Sequence, residues 1–314
     1  MFLALALYLL LLAFGLFLLI KSSDIFTTKA ERIGLRLGMS PFLVGLIIVG
    51  LGTSLPELAS SLVAAATHQT GIVIGNVLGS NITNILFVLG LAALMTKNIS
   101  LKWNVMHVDI PLLIGSAILA TISLLDGVFS RTEAALSLAG YVVYIFYALS
   151  KRAKIYTETV PSTKEKTVDW LILALTIAGI YAGAKVSVFS LTLLATTLQA
   201  PEGLVAISLL AIGTSLPEVS VTLHAARRGK ADLAVGNVLG SNIFNTFLVL
   251  GLPGMITPLT SSPTTLAIGL IFFISATLLF TFIAQDKEIT LWDGFILLFI
   301  FILFLTKLGT ILIP

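Results

Sequence analysis

The sequence predicts an all-α integral membrane protein: ten transmembrane helices arranged as two five-helix repeats of inverted topology. Three observations predict it. The chain is 57% hydrophobic and 11% charged, with a mean hydropathy of +1.08, far from the composition of a soluble domain. Apolar stretches recur over 2–20, 42–66, 72–96, 107–125, 134–150, 169–190, 203–226, 233–257, 264–284 and 291–311, each near the ~20 residues a helix needs to cross a bilayer. Finally, residues 52–91 repeat as 213–252 without insertion, at a constant offset of 161 and with 22 identities in 40 positions.

The first stretch, 2–20, lacks a basic segment before it and a small-residue cleavage site after it, so it is expected to be a spanning helix and not a secretory signal. Loop charges set the orientation. With the polar connection 151–168 on the cytoplasmic side, 15 of the 18 Lys and Arg fall inside. Only Arg131, Lys185 and Lys307 fall outside or toward that side. This asymmetry supports the ten-span count and places both termini externally in a multi-pass cell-membrane protein. The first repeat is then 1–150, with its motif at 50–91, and the second is 169–314, with its motif at 211–252. Five spans per repeat, an odd number, force the second repeat to be inserted upside down.

Composition and motifs also exclude. Without cysteine there are no disulfides, thiolate metal sites or thiol nucleophiles. A net charge of +3, sorted by side, calls for no nucleic-acid partner. No H-E-x-x-H, G-x-S-x-G or P-loop pattern occurs, which argues against an enzyme or an ATP-driven pump and leaves no cofactor to expect.

The repeat carries polar residues into apolar segments. Gly52-Thr53-Ser54-Leu55-Pro56-Glu57 returns as Gly213-Thr214-Ser215-Leu216-Pro217-Glu218. Pro56 and Pro217 lack an N–H, so the carbonyls of Gly52 and Gly213 lose their helical partners. Broken helices at membrane depth are tolerated where the freed groups face protein or a wet cavity. Thr53 and Ser54 precede Glu57 by four and three residues, as Thr214 and Ser215 precede Glu218, and in a helix these share a face. A single copy fits a simple proline kink equally well. Two copies, each with an intramembrane Glu, point to the two halves of one cation site.

The second motif, Gly75-Asn76-Val77-Leu78-Gly79-Ser80-Asn81-Ile82, returns as Gly236-Asn237-Val238-Leu239-Gly240-Ser241-Asn242-Ile243. Its glycines form a G-x-x-x-G packing face. Ser80 and Asn84, with Ser241 and Asn245, add oxygens suited to Ca²⁺, which takes about six to eight at roughly 2.3–2.6 Å. Asn76 and Asn237 fit either a ligand role or a bond to a neighbouring helix backbone. His68, His107 and His224 read as interfacial residues, Asp126 and Glu133 as solvated loop charges, and Asp286–Lys287–Glu288 as a solvated turn. Two ionised Glu balance one Ca²⁺ or several monovalent ions. An empty dianionic site resists sealing from water, which is a physical basis for obligatory exchange. Protons can neutralise the pair as well, so charge alone leaves the counter-ion open.

These residues resemble the alpha-repeats of the calcium/cation antiporter superfamily, specifically its sodium/calcium exchanger branch, by G-T-S-L-P-E followed by G-N-x-x-G-S-N-x-x-N, twice. The resemblance implies a secondary antiporter exchanging Ca²⁺ for Na⁺ by alternating access, in which the first helix of each half slides. Its partners are then the two ions and membrane lipid. It implies ion ligands at Thr53, Ser54, Glu57, Ser80 and Asn84, with Thr214, Ser215, Glu218, Ser241 and Asn245, and backbone oxygens from Gly50 and Ala211. Proton-coupled members typically carry G-N-x-x-E, where this chain has Gly79 and Gly240, so Na⁺ is favoured and H⁺ is the alternative. A cation channel would need a continuous pore and no trans ion. Potassium-dependent members tend to carry Asp where Asn245 stands. Lys185 occupies a place where the family often has an acid and matches Asp24 across the repeat; a local ion pair across the halves is expected. Asn245→Asp is expected to change Na⁺, H⁺ or K⁺ dependence more than folding, and an unchanged ion profile in flux assays would show that Asn245 is not diagnostic.

Overall fold

The computed structural model describes residues 2–36, 52–96, 98–100, 109–152, 167–229 and 231–312. Helices dominate: α1 (Phe2–Arg36), α2 (Leu55–Ala66), α3 (Thr70–Ile82), α4 (Gly90–Thr96), α5 (Ile110–Leu124), α6 (Arg131–Arg152) and α7 (Thr167–Leu198). The chain continues through α8 (Glu202–Val205), α9 (Ala211–Thr214), α10 (Leu216–Arg227), α11 (Ala231–Phe244), α12 (Leu250–Ile256), α13 (Pro263–Gln285) and α14 (Leu291–Leu312). π-Helical turns at Thr83–Leu89, Ala206–Leu210 and Asn245–Val249 join α3 to α4, α8 to α9 and α11 to α12. Such turns interrupt the regular i→i−4 bonding and are frequent at functional sites.

The protein is a multi-pass membrane protein. Among the described residues six helices are long and apolar enough to cross a bilayer, and a seventh span counts if α8–α9 and α10, bent by 43°, are one broken helix. This measure does not reach the ten expected spans. The expected segments 42–66 and 107–125 begin on residues outside those described, which leaves α2 with 12 residues and α5 with 15. The connection 151–168 also lies largely outside them.

Burial separates central rods from peripheral ones. The apolar window of the rod Thr70–Thr96 is 83% buried, against 17% for that of α1 and 28% for that of α7. The peripheral pair α1 and α7 packs closely through small residues. A Cβ on Gly183 would meet the Leu19 Cα at 2.8 Å, and one on Gly15 would meet Ser187 Oγ at 2.7 Å. Phe14 and Phe17 of α1, and Leu175 and Phe189 of α7, are exposed, an arrangement suited to lipid and not to water. The central rod α3 makes a similar approach to the α8–α9 segment. A Cβ on Gly79 would collide with the Ile207 carbonyl and sit 2.6 Å from the Ala211 Cβ, and one on Gly75 would lie 3.0 Å from the Ala206 Cβ. The packing role expected of the glycines is observed at Gly75 and Gly79 but not at their counterparts: among the described residues nothing lies within 4 Å of a Cβ on Gly236, and only Tyr144 Oη, at 3.9 Å, meets one on Gly240.

The fold is mostly helical as expected, with one addition: among the described residues four short strands form two clips. β1 (Asn98–Ser100) pairs antiparallel with β4 (Glu288–Thr290), and β2 (Val128–Phe129) with β3 (Leu259–Thr260). At the offset of 161, β1 corresponds to β3 and β2 to β4. Each clip therefore ties one half to the other, with Ile99 against Ile289 and Phe129 against Leu259 as buried register pairs. Two- and three-residue strands carry no alternation long enough to be recognised in a sequence.

Two charge assignments also change. Glu133 is a capping residue, not a free loop charge: its Oε2 accepts from Ser130 N at 2.7 Å and Ser130 Oγ at 2.8 Å. Asp293 does the same for Thr290 N and Oγ1, both at 2.7 Å, so both halves carry a capping box. The expected Lys185 pair across the halves does not form. Asp24 lies 3.9 Å from Lys21 on its own helix, and Lys185 Nζ lies over the Tyr181 ring, 6.0 Å from its centroid. Both residues are exposed on outward helix faces. The Asp286–Lys287 turn is exposed as expected. His68 and His224 are exposed, and His107 lies outside the described residues.

Gly79→Leu is expected to abolish recovery of monodisperse protein, because backbone stands where its side chain would go. Gly115→Ala, with nothing among the described residues within 4 Å of the added Cβ, should not lower the melting temperature, because Ala is the better helix former. Size-exclusion profiles and melting curves check both.

Candidate cation site

Two helix interruptions build the site. Ser54 (φ −94°, ψ 10°) and Ser215 (φ −79°, ψ 3°) leave helical geometry, and Pro56 and Pro217 open the next helix. Proline suits the first helical turn, where an N–H has no partner anyway. The break is local: Ser54 O accepts from Leu58 N and Ser215 O from Val219 N, both at 3.1 Å. Glu57 and Glu218 consequently sit in the first turns of α2 and α10, where the helix dipole favours an anion.

The halves exchange side chains at this point. Ser54 Oγ of the first half donates to Glu218 Oε1 at 2.9 Å, and Ser215 Oγ of the second half donates to Glu57 Oε1 at 3.4 Å. Each carboxylate also receives a serine from its own half: Ser80 Oγ to Glu57 Oε1 at 3.5 Å and Ser241 Oγ to Glu218 Oε1 at 3.2 Å. One oxygen of each Glu is thus held by two serines, one from each half. The other oxygen, Oε2, has no hydrogen-bond partner among the described residues in either Glu, although both side chains are fully buried. Thr53 Oγ1, Asn84 Oδ1 and Asn245 Oδ1 are likewise buried and unpartnered. Together they form a set of bare oxygens, two carboxylate and three neutral, in a region where polar atoms ordinarily find partners. Hard cations take such oxygens. Among the described residues no group of three or more His, Cys, Asp and Glu occurs that could hold a metal, so these oxygens do not make a densely charged, closed metal centre.

The remaining expected ligands are placed as follows. Thr214 Oγ1 lies 3.1 Å from Leu210 O and 3.3 Å from Asn76 Oδ1. The Ala211 carbonyl accepts from Ser215 N at 3.1 Å and from Thr214 Oγ1 at 3.4 Å. Gly50 lies outside the described residues.

Asn76 has the backbone-binding role that the sequence left open. Its Nδ2 donates to the Glu57 carbonyl at 3.1 Å, to Ser61 Oγ at 3.0 Å and to Ser60 Oγ at 3.3 Å. Asn237 Nδ2 donates to Thr222 Oγ1 at 3.1 Å. No role for Asn242 or Thr246 is legible in the sequence. Asn84 Nδ2 donates to Asn242 Oδ1 at 3.0 Å, Asn242 Nδ2 to Asn81 O at 3.2 Å, and Asn81 Nδ2 to Thr246 Oγ1 at 2.8 Å. These bonds lock the two central rods together. The repeated Asn of the second motif was the available signal, but spacing does not say which amide meets which.

Comparison with known proteins gives one consistent result. Residues 7–150 and 168–308 match the family model described as sodium/calcium exchanger protein. The sodium/calcium exchanger MaX1 of Methanosarcina acetivorans is 33% identical, over 95% of this chain and 97% of its own length. The inner membrane protein YrbG of Escherichia coli is 34% identical over 79% of each. A solved structure of the sodium-calcium exchanger NCX_Mj, soaked with 2.5 mM Na⁺ and 10 mM Sr²⁺, matches with a TM-score of 0.67 at 30% identity, covering 96% of this chain and 99% of that one.

Removing a bare carboxylate should remove cation binding. Glu57→Gln and Glu218→Gln are each expected to weaken Ca²⁺ binding by more than about 30-fold, the scale set by losing one buried charged partner. Ser54→Ala should weaken it by roughly fivefold. Calorimetric titration of purified protein with Ca²⁺ checks the ranking.

Proposed function

The chain belongs to the sodium/calcium exchanger protein family, and from that premise we propose that it exchanges Ca²⁺ for Na⁺ across the cell membrane by alternating access. Members of this family are transporters and not enzymes, and its cargo is Na⁺ and Ca²⁺. The observation that carries the reading for this chain is the reciprocal carboxylate arrangement. Ser54 bonds Glu218, Ser215 bonds Glu57, and each Glu keeps one bare oxygen.

In this reading Glu57 and Glu218 supply the two negative charges of a site near the bilayer midplane. Thr53, Ser54, Ser80, Asn84, Thr214, Ser215, Ser241 and Asn245 supply neutral oxygens, and the carbonyls of Gly50 and Ala211 complete the shell. Two buried anions facing each other are costly unless a cation compensates them. A site emptied on one side must therefore reload before it can close and open on the other, and loading alternately with Ca²⁺ and Na⁺ makes the flux an exchange. The domain plan belongs to the same proposal: a first repeat over 1–150, a cytoplasmic connection over 151–168, a second, inverted repeat over 169–314, ten spans in total and external termini. The offset of 161 relating motifs and clips supports two equivalent halves.

The test is Ca²⁺ uptake into proteoliposomes at controlled K⁺. Uptake that requires internal Na⁺ is expected. Uptake driven by a pH gradient without Na⁺ would make the protein a proton-coupled exchanger, and uptake needing no trans ion at all would make it a channel.

A further inference from the structure

The two halves are related by a constant offset of 161, yet two of their cross-half hydrogen bonds lack a counterpart. Thr214 Oγ1 reaches Asn76 Oδ1 at 3.3 Å. The counterpart, Thr53 to Asn237, is not made: Thr53 Oγ1 lies toward the Glu218 carboxylate without a bond of normal geometry among the described residues, and the Nδ2 bond of Asn237 to Thr222 only matches that of Asn76 to Ser61. Asn84 Nδ2 donates to Asn242 Oδ1 at 3.0 Å. Its counterpart would be Asn245 Nδ2 to Asn81 Oδ1, and both of those atoms are buried and unpartnered. The two missing bonds are thus the repeat images of the two that are present.

A bound cation would satisfy the bare oxygens but not Asn245 Nδ2, because an N–H donor needs an acceptor. The repeat offers one, Asn81 Oδ1. A buried donor and acceptor left apart carry a desolvation cost, which an arrangement joining them would remove. In carriers built from inverted repeats, the two halves move against one another around the site. Exchanging the conformations of equivalent halves would convert the present bonds into their images.

We propose that Asn76 and Asn242, and their images Asn237 and Asn81, are positioning residues used in alternation. In the arrangement described here Asn76 holds Thr214 and Asn242 holds the Asn84 amide through its Nδ2, with Asn84 Oδ1 still bare, while Thr53 is not held by Asn237 and neither amide atom of Asn245 is held. In the opposite-facing arrangement Asn237 captures Thr53 and Asn81 captures the Asn245 Nδ2, and Thr214 and the Asn84 Nδ2 are released. Each state then presents a different, asymmetric set of neutral ligands to the same two carboxylates. This rests on the alternating-access reading above and adds the residues that bias it.

The chain has no cysteine, so a distance reporter can be introduced directly. Cysteines replace the exposed turn residues His68 and Gln199, nitroxides are attached, and pulsed electron–electron distances are measured in ion-free proteoliposomes. Two distance populations are expected. Asn76→Ala should lower the ratio of the arrangement described here to the other about fivefold, and Asn237→Ala should raise that ratio about fivefold, the scale of one hydrogen bond. Asn76→Ser and Asn237→Ser replace them if the alanine variants are not monodisperse. Shifts in the same direction, no shift, or a single population in all three proteins would overturn the proposal. Opposite shifts together with absence of Na⁺-driven Ca²⁺ uptake would support the alternation and fault only the ion assignment.

Discussion

Two carboxylates buried beside one another, each reached by a serine from the opposite half, set the terms for the rest of this fold. A buried anion needs hydrogen bonds, a compensating cation, or both. Here each Glu receives two serine hydroxyls on one oxygen and none on the other. Holding the carboxylates while leaving coordinating oxygens bare is the arrangement a transient cation site needs. Full satisfaction by the protein would leave no reason to bind an ion.

The surrounding packing serves that geometry. Proline opens the helices that carry Glu57 and Glu218, so each carboxylate begins a helix and lies at its favourable dipole end. Gly75 and Gly79 let the α8–α9 segment approach the central rod closely, and that segment leads to Thr214 and Ser215. Asn81, Asn84 and Asn242 then join the rods with amide bonds. In a bilayer, where apolar side chains gain little by meeting each other in place of lipid, close backbone approach and interhelical hydrogen bonds are the available means of association.

The peripheral pair α1 and α7 differs from this core. Its partners approach one another closely, while much of the outward surface is exposed and apolar. The clips β1–β4 and β2–β3 instead join the halves through the segments that flank α5, α6, α13 and α14. The molecule therefore combines a tied centre with a pair of long helices on its flank, a division suited to relative movement around a fixed site.

Much of this was legible in the sequence. Composition gave the membrane class, because ~20-residue apolar runs have one stable use in a chain this hydrophobic. The exact repeat of the Glu-bearing motif gave the two carboxylates and their serines, because a charge placed twice at equivalent depth demands a shared reason. Periodicity gave neither the two- and three-residue strands of the clips nor the capping role of Glu133, since both depend on which chain ends meet. The sequence by itself determined that Glu57 and Glu218 are equivalent members of two repeats. Only the tertiary structure decided that Ser54 serves Glu218 and not Glu57, and that Asn84 meets Asn242 while Asn81 and Asn245 stay apart. A repeat states which residues are equivalent, whereas hydrogen bonds over about 3 Å depend on how two equivalent halves are placed against each other, and that placement need not be symmetric.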